Sequence, residues 1–298
     1  MAHNHHHGHN HSHDNGTGNI KIAFAINLLF TVIEIVGGLF TNSIAILSDA
    51  LHDLGDSLSL GLSWYFQHKS NQGRDSVYTF GYKRFSLLGA VINSIVLVIG
   101  SVFILSEAIP RLWQPQNTEP KGMMILAVVG IIFNGAAVLR LKKGTTINER
   151  VVSLHLLEDV LGWIAVLIGG ALIYFFGWVW IDPLLSVGIT AFILFNVYRN
   201  LSDSFRVFLQ GKPHGLDIDM LKTDIEKIPL VKDIHDLHIW SMDGEYTVVT
   251  LHVVTTSADV AERENLRHEI RTALKSRDIN HATIEIHWQN EGCELEDC

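Results

Sequence analysis

A short pattern of ionisable residues occurs twice in otherwise apolar stretches of the chain. It reads Leu-His-x-Leu-x-Asp at residues 51–56 and again at residues 154–159. Each copy sets a histidine and an aspartate at i and i+4, and on an α-helix this spacing places both side chains on one face. Two imidazoles and two carboxylates can supply the ligands of a tetrahedral Zn²⁺ site. The repeat therefore predicts a metal site formed by His52, Asp56, His155 and Asp159.

The first copy lies within a longer acidic stripe that offers a second ligand set. Asp49, His52, Asp53 and Asp56 follow i, i+3, i+4, i+7 spacing, so all of them share one helical face. A site that uses Asp49 and Asp53 would contain more carboxylates and fewer imidazoles, which suits harder cations such as Mn²⁺ or Fe²⁺. We favour the His52 and Asp56 pair as ligands. Asp49 and Asp53 are then the alternative pair, or groups that support the ligands.

Six apolar stretches are each long enough to cross a bilayer, which requires ~20 helical residues. The chain of 298 residues is 48% hydrophobic and only 18% charged, a composition typical of membrane proteins. An ionisable group at bilayer depth costs at least ~2.5 kcal/mol, so the repeated His/Asp pairs indicate a functional site. Glu34 and Asp182, by contrast, are explained by hydrogen bonds between helices or by a position at the membrane surface. The predicted spans lie near residues 20–40, 44–66, 85–109, 122–141, 151–176 and 179–198.

Basic residues are concentrated on one side of these spans, which predicts their orientation. The opposite side carries only Arg111 and Lys121. By the positive-inside rule, this distribution places both termini in the cytoplasm. The basic residues of the 2–3 loop, the 4–5 loop and the end of span six are Lys69, Arg74, Lys83, Arg84, Arg140, Lys142, Lys143, Arg150, Arg199 and Arg206.

The C-terminal part of the chain has a different character. Residues 212–298 carry 9 Lys and Arg against 18 Asp and Glu, whereas residues 1–211 carry 13 of each class. This acidic balance argues against a nucleic-acid partner and favours cations. Helical periodicity at 217–228 and 259–277, with alternation at 234–240, 246–254 and 282–288, predicts the order α-β-β-α-β. We therefore expect a six-helix membrane domain at 19–209 and a small cytoplasmic α+β domain at 210–298, with its helices on one face of the sheet.

Histidines are concentrated at both ends of the chain. The segment 1–18 is interpreted as a disordered cytoplasmic arm that captures metal loosely. In the C-terminal domain, His252 and His287 lie on strands that could pair, and His235 could be the third ligand of a cytoplasmic metal site. Cys293 and Cys298 lie at one chain end and would staple almost nothing, so a thiolate contact with metal or no role are the alternatives. The histidines of the arm are His3, His5, His6, His7, His9, His11 and His13.

These motifs together resemble the cation diffusion facilitator family, and within it the bacterial zinc-exporting branch. The resemblance extends over essentially the whole chain, from the His-rich start to the cysteine tail. The segments that carry it are Ser48–Asp56 in span two, the Phe80–Arg84 loop, Leu154–Asp159 in span five, His235–Trp240 and His281–Glu285.

The resemblance implies a fold, an activity and ligand positions. Members of this family are homodimeric antiporters with six transmembrane helices and a ferredoxin-like cytoplasmic domain. They move Zn²⁺, and often Cd²⁺ or Co²⁺, out of the cytoplasm against protons. Some members use the carboxylate pair that matches Asp49 and Asp53, so the choice of ligand pair stays open. The matching positions are His52, Asp56, His155 and Asp159 for transport and His235, His252 and His287 for cytoplasmic metal.

We therefore expect a secondary active transporter in a lipid bilayer, the bacterial inner membrane by resemblance. Metal ligands must be deprotonated, and histidine has a reference pKa near ~6.5, so protons can compete with zinc for the intramembrane imidazoles. An intramembrane metalloenzyme is one alternative, but it would need an open coordination position and a general base. A membrane-anchored metal sensor is another, but it leaves six spans unexplained.

Overall fold

Six long helices precede a small mixed domain in the computed structural model. The structure describes residues 14–141, 147–289, 291 and 293, and the side chains of residues 27–136, 138, 139, 156–289, 291 and 293. The first helix begins at Asp14, inside the segment predicted to be a disordered arm, and the histidines of that arm lie outside the described residues. The helices are α1 (Asp14–Thr41), α2 (Ile44–Ser70), α3 (Phe85–Trp113), α4 (Pro120–Leu141), α5 (Ile147–Phe176) and α6 (Ile181–Phe208).

Three of these helices contain a described stretch that is long and apolar enough to cross a membrane. The stretches are Phe85–Trp113, Leu156–Phe176 and Ile181–Phe208. Two shorter apolar helical stretches, Asn27–Thr41 and Pro120–Ala136, lie in α1 and α4. Helix α2 is as long as a membrane span, but the charged residues of its acidic stripe make it less apolar. The prediction of six membrane spans therefore stays a prediction, while the six helices lie close to the predicted ranges.

The described chain divides into two compact units. The first contains the described parts of residues 1–64 and 92–198, and the second contains residues 65–91 and the described parts of 199–298. Within the first unit, the fully buried Trp163 ring of α5 packs on Gly130 of α4. A Cβ atom at residue 130 would lie 2.4 Å from that ring, so this close approach requires glycine. The contact anchors α5 one turn beyond Asp159.

A buried carboxylate from α6 caps the amino end of α2. Asp182 accepts hydrogen bonds from the Ser43 hydroxyl at 2.5 Å and from the backbone N–H groups of Ile44 at 2.9 Å and Ala45 at 3.3 Å. The first N–H groups of a helix have no partner within the helix, and an acceptor there satisfies them. One turn further along α2, the hydroxyls of Ser48 and Ser186 lie 2.6 Å apart. These bonds confirm that Asp182 joins helices, and they fix α2 against α6.

The loop between α2 and α3 is folded around one aspartate in the second unit. The backbone N–H of Tyr78 donates to Asp75 at 2.7 Å, and the Tyr82 hydroxyl donates at 2.6 Å. These donors hold the pKa of the exposed Asp75 carboxyl below its usual range. The ammonium of Lys83 lies 4.4 Å from the centre of the Tyr246 ring, so the loop contacts the turn between the first two strands.

The C-terminal part has the predicted order of helices and strands. The strands form one sheet in the order β1-β2-β3, with β1 and β2 antiparallel and β2 and β3 parallel. This is a small mixed sheet, and the finer ferredoxin-like description stays an expectation. The elements are α7 (Ile218–Glu226), β1 (Val231–Ser241), β2 (Thr247–Thr255), α8 (Val260–Lys275) and β3 (Ile279–Trp288).

Alternation along the central strand gives the sheet two different faces. Val249, Leu251 and Val253 of β2 form a core with the apolar stripes of α7 and α8. Because side chains alternate across a strand, the residues between them point to the opposite face. His252 is one of these residues, and it is buried although no helix of the apolar core covers that face. The sheet thus separates an apolar core from a polar face.

The cap on α2 is tested by replacing Asp182 with asparagine. The amide has nearly the same volume, but it lacks the negative charge of the carboxylate that accepts hydrogen bonds from the helical N–H groups. We expect the free energy of unfolding to fall by about 1–3 kcal/mol. Thermal unfolding of the purified protein in detergent measures it. Asp203→Asn is the matched control, because the Asp203 side chain is 65% exposed. Equal unfolding midpoints for the two variants would contradict the capping role.

Candidate metal centres

The structure brings one histidine and two aspartates of the predicted intramembrane site together. The Nε2 atom of His52 lies 3.9 Å from an oxygen of Asp56, one turn along α2, and 3.9 Å from an oxygen of Asp159 on α5. His52 is 18% exposed and Asp159 only 6%, whereas Asp56 is 30% exposed. The imidazole therefore stands between carboxylates of two different helices. A modest movement of these side chains would place their donor atoms around one ion.

The fourth predicted ligand lies on the same helix as Asp159. Residue 155 is part of α5, one turn before Asp159, but the side chain of His155 lies outside the described residues. The expectation that His155 shares a helical face with Asp159 comes from the i and i+4 spacing in the sequence alone. The assignment of His155 therefore stays a prediction from spacing.

The rival carboxylates lie on the same stripe of α2 but have other neighbours. Asp49 and Asp53 are 5% and 3% exposed. One oxygen of Asp49 lies against Gly162 of α5, 3.4 Å from where a Cβ would stand. The amide of Asn27 on α1 donates to the backbone oxygen of Asp53 at 3.2 Å. His52 makes salt-bridge contacts with Asp56 and Asp159.

The three predicted cytoplasmic ligands converge on the polar face of the sheet. His235 of β1 stands directly opposite His252 of β2, and His287 of β3 lies beside Val254, two residues along β2. The centres of the three imidazole rings are 5.2–6.3 Å apart. Buried His235 Nε2 has no hydrogen-bond partner among the described residues. Three imidazoles at this spacing are suitable ligands for a transition metal.

Two overlapping sets of donor atoms share His252. His235, His252 and Cys293 form one set, and His252, Glu285 and His287 form the other. In each set the donor atoms lie within 4.8 Å of one another. The Nδ1 atom of His252 lies 3.2 Å from the Cys293 sulfur, whereas Nε2 lies 3.5 Å from a Glu285 oxygen. One imidazole thus faces a soft thiol on one side and a hard carboxylate on the other.

Glu285 and Asp236 were not assigned as ligands from the sequence, although both lie at this face. Glu285 precedes His287 by two residues on β3 and pairs with His252 across the sheet, so strand alternation could have found it. Asp236 has positive φ, 48°, in the irregular part of β1, and lies 3.6 Å from His252 and 2.7 Å from His238. The alternation of side chains along a strand does not predict such a bulge, so the position of Asp236 could not be predicted from the sequence. Among the other histidines, His238 is about half exposed and His281 packs on Phe80.

Comparison with protein families assigns both parts of the chain to one kind of protein. The "Cation efflux transmembrane domain" profile matches residues 20–209. The "Cation efflux protein, cytoplasmic domain" profile matches residues 213–290. Together the two matches cover most of the chain.

Several curated bacterial proteins are similar over most of their length. The "Cadmium, cobalt and zinc/H(+)-K(+) antiporter" of Bacillus subtilis is 35% identical over 86% of this chain and 84% of its own. The "Metal cation efflux system protein CzcD" of Cupriavidus metallidurans is 36% identical over 90% and 85%. The "Zinc transporter ZitB" of Escherichia coli is 34% identical over 93% and 88%. A solved metal-bound C-terminal domain of CzcD is 36% identical, covers 24% of this chain and 99% of its own, and has a TM-score of 0.22.

The cysteine in the cytoplasmic cluster gives a direct spectroscopic test. Cobalt(II) bound to a thiolate has an intense near-ultraviolet charge-transfer band, so the full-length protein loaded with Co²⁺ should show this band. Cys293→Ser should abolish it, because the soft sulfur ligand is lost. His268→Ala on the exposed face of α8 should leave it unchanged. A band of full intensity in Cys293→Ser would contradict metal contact at Cys293.

Proposed function

Because this chain belongs to the cation efflux family, in its bacterial zinc-exporting branch, we propose that it exports Zn²⁺ from the cytoplasm in exchange for protons. It is a multi-pass bacterial membrane protein that transports metal cations, and it is a transporter rather than an enzyme. The similar proteins bear names that include zinc, cadmium and cobalt. Zinc is the proposed main substrate, with Cd²⁺ and Co²⁺ as further substrates.

The proposed transport site consists of His52, Asp56, His155 and Asp159. The observation that carries it is the position of His52, 3.9 Å from carboxylate oxygens of both Asp56 and Asp159. Two helices thus contribute to one mixed set of nitrogen and oxygen donors. A set of imidazoles and carboxylates in tetrahedral arrangement is the usual protein environment of Zn²⁺. The His52 and Asp56 pair is therefore preferred to the Asp49 and Asp53 pair, which would favour Mn²⁺ or Fe²⁺.

Proton coupling follows from the chemistry of these ligands. An imidazole can hold either a proton or a metal ion on one nitrogen, and a carboxylate can likewise be neutralised by either. When the site faces the cytoplasm, zinc displaces the protons from it. When the site faces outward, protons displace the zinc. Exchange requires only that each partner binds one of the two conformations better than the other.

Each protomer is proposed to have both termini in the cytoplasm and to pair with a second copy. The distribution of basic residues supports this orientation. The match to the cytoplasmic domain of cation efflux proteins supports the homodimer. Metal bound at His235, His252 and His287 would reduce the repulsion between two acidic domains, because cations neutralise part of their negative charge. The cytoplasmic cluster is thus proposed to sense the metal that the membrane site exports.

The transport site is tested by zinc flux into sealed vesicles containing the purified protein. With the interior acidic, zinc uptake should accompany proton release, and collapse of the pH gradient should stop it. Asp159→Ala should reduce the rate at least ~100-fold, because the loss of a group that only supports a metal ligand already costs ~10–100-fold and Asp159 is a proposed ligand itself. Glu158→Gln is the matched control, since that neighbouring side chain is exposed. Undiminished flux in Asp159→Ala would refute the site, and flux insensitive to the gradient would refute antiport.

The choice of ligand pair is tested by metal competition. His52→Asp replaces an imidazole with a harder carboxylate and should shift the preference from Zn²⁺ toward Mn²⁺ or Fe²⁺. The measurement is the rate of zinc flux in the presence of increasing Mn²⁺. Asp49→Asn should leave the competition close to that of the unmodified protein. The opposite result, with Asp49→Asn altering the competition and His52→Asp not, would favour the rival pair.

A further inference from the structure

The turn between α1 and α2 is bound by a guanidinium group from another helix. The Arg111 side chain of α3 donates to the backbone oxygen of Asn42 at 3.2 Å and to its side-chain oxygen at 3.0 Å. Hydrogen bonds from a charged donor are stronger than those between neutral groups. Glu107, one turn before Arg111 on α3, lies 3.8 Å from the same guanidinium group. One side chain of α3 thus binds both acceptor oxygens of a single turn residue.

The connection between α3 and α4 is bound to the same turn. The side-chain amide of Asn42 donates to the backbone oxygen of Asn117 at 3.0 Å, and the backbone N–H of Glu119 donates to the Thr41 oxygen at 2.8 Å. A Cβ atom at residue 122 would lie 2.7 Å from the Thr41 side chain, so α4 begins in close contact with the turn. Asn42 has a positive φ of 53°, which asparagine adopts more readily than most residues. We call the contacts of Asn42 with Arg111 and Asn117 the clasp.

An apolar cluster separates this turn from the proposed transport site. Ala45 lies on the same face of α2 as Asp49 and His52, at i, i+4 and i+7, and it is the nearest of the three to the turn. It is 0% exposed and is part of a buried cluster to which other helices contribute Phe30, Met123, Trp163 and Ile181. A path along this face from the turn to His52 is therefore blocked at Ala45.

Exposure of the stripe on α2 increases in the opposite direction, away from the turn. Asp49 is 5% exposed, whereas the side chains of His52 and Asp56 are 18% and 30% exposed. The turn between α1 and α2 lies on the side with few basic residues, which is the outer side in the proposed orientation. The structure thus has the geometry of a conformation that is closed to the outside.

We propose that the clasp closes the transport path on the outer side, and that Arg111 is a positioning residue for the change between conformations. Such a role presupposes the proposed orientation and zinc export. The connection bound by the clasp leads directly into α4, and Met123 of α4 belongs to the cluster that covers Ala45. Release of the clasp would therefore allow α4 to move away from the turn and expose Ala45. Because Arg111 is 13% exposed, water can replace its hydrogen bonds, so the clasp can open and close.

Labelling of a single cysteine from outside the cell tests this role. The reporter is Ala45→Cys in the full-length chain with both native cysteines replaced by serine. In intact cells, a membrane-impermeant thiol reagent should label it slowly, because residue 45 is covered. Arg111→Met should raise the labelling rate about tenfold or more, because it removes hydrogen bonds from a charged group that hold the closed conformation. Asn42→Gly should raise the rate as well, because it removes the side-chain acceptor and donor of the clasp while glycine readily adopts the positive φ.

A second basic residue on the same side of the membrane domain provides the matched control. Lys121→Met makes the same change of charge, and the ammonium group of Lys121 lies 5.7 Å from the centre of the Tyr174 ring. This variant should leave the labelling rate unchanged. An unfolding midpoint in detergent close to that of the unmodified protein shows that a labelled variant is folded. Unchanged labelling in both Arg111→Met and Asn42→Gly would overturn the proposal, and so would an equal rise in Lys121→Met.

The side of labelling separates this role from the proposed orientation and from antiport. Labelling requires neither zinc nor a pH gradient, so a failure of zinc flux in the unmodified protein would refute the proposed export without changing the labelling result. If the rate for Arg111→Met rises only in inverted membrane vesicles, the turn faces the cytoplasm and the clasp is not an outer closure. A rise in intact cells, absent from the control variant, is the expected result.

Discussion

The structure depends on carboxylates that are buried in an apolar helical domain. Asp49, Asp53 and Asp159 are each at most 6% exposed, and Glu34 is fully buried. Removing such groups from water is costly unless protons, a metal ion or good hydrogen bonds compensate. Protons and divalent ions compete for the same oxygens and nitrogens. This competition gives the proposed exchange of metal for protons a physical basis, because either partner can bind only where the other has left.

Helix packing decides which of these groups can share an ion. The Trp163 ring on Gly130 fixes α5 one turn from Asp159, and the Asp182 cap fixes the amino end of α2. Between these anchors, one acidic stripe meets two different surroundings. His52 lies between Asp56 and Asp159, whereas Asp49 lies against Gly162 of α5 and the backbone oxygen of Asp53 accepts a hydrogen bond from Asn27 of α1.

The cytoplasmic sheet also brings histidine and carboxylate side chains together, but it does so on one face of a sheet and not between helices. Its apolar core lies on the face covered by α7 and α8, so the opposite face is available for polar groups. Cross-strand pairing places His235, His252 and Glu285 in one row. Because His252 presents Nδ1 to a thiol and Nε2 to a carboxylate, this cluster offers ligands of different softness to an incoming ion. Such a cluster suits detection of transition metals better than selection of one ion.

The sequence alone determined the positions of the helices and strands and the identity of most candidate ligands. Periodicity of 3.6 and 2 residues is a local property, so the L-H-x-L-x-D spacing and the strand histidines could be read directly. The sequence could not decide between the two carboxylate pairs of α2, because both lie on one stripe. The neighbours of the two pairs on α1 and α5 are set by tertiary packing. Likewise, only the folded sheet brings Cys293 and Glu285 to His252. The register of β3 against β2 and the path of the chain after β3 both depend on contacts between residues that are distant in sequence.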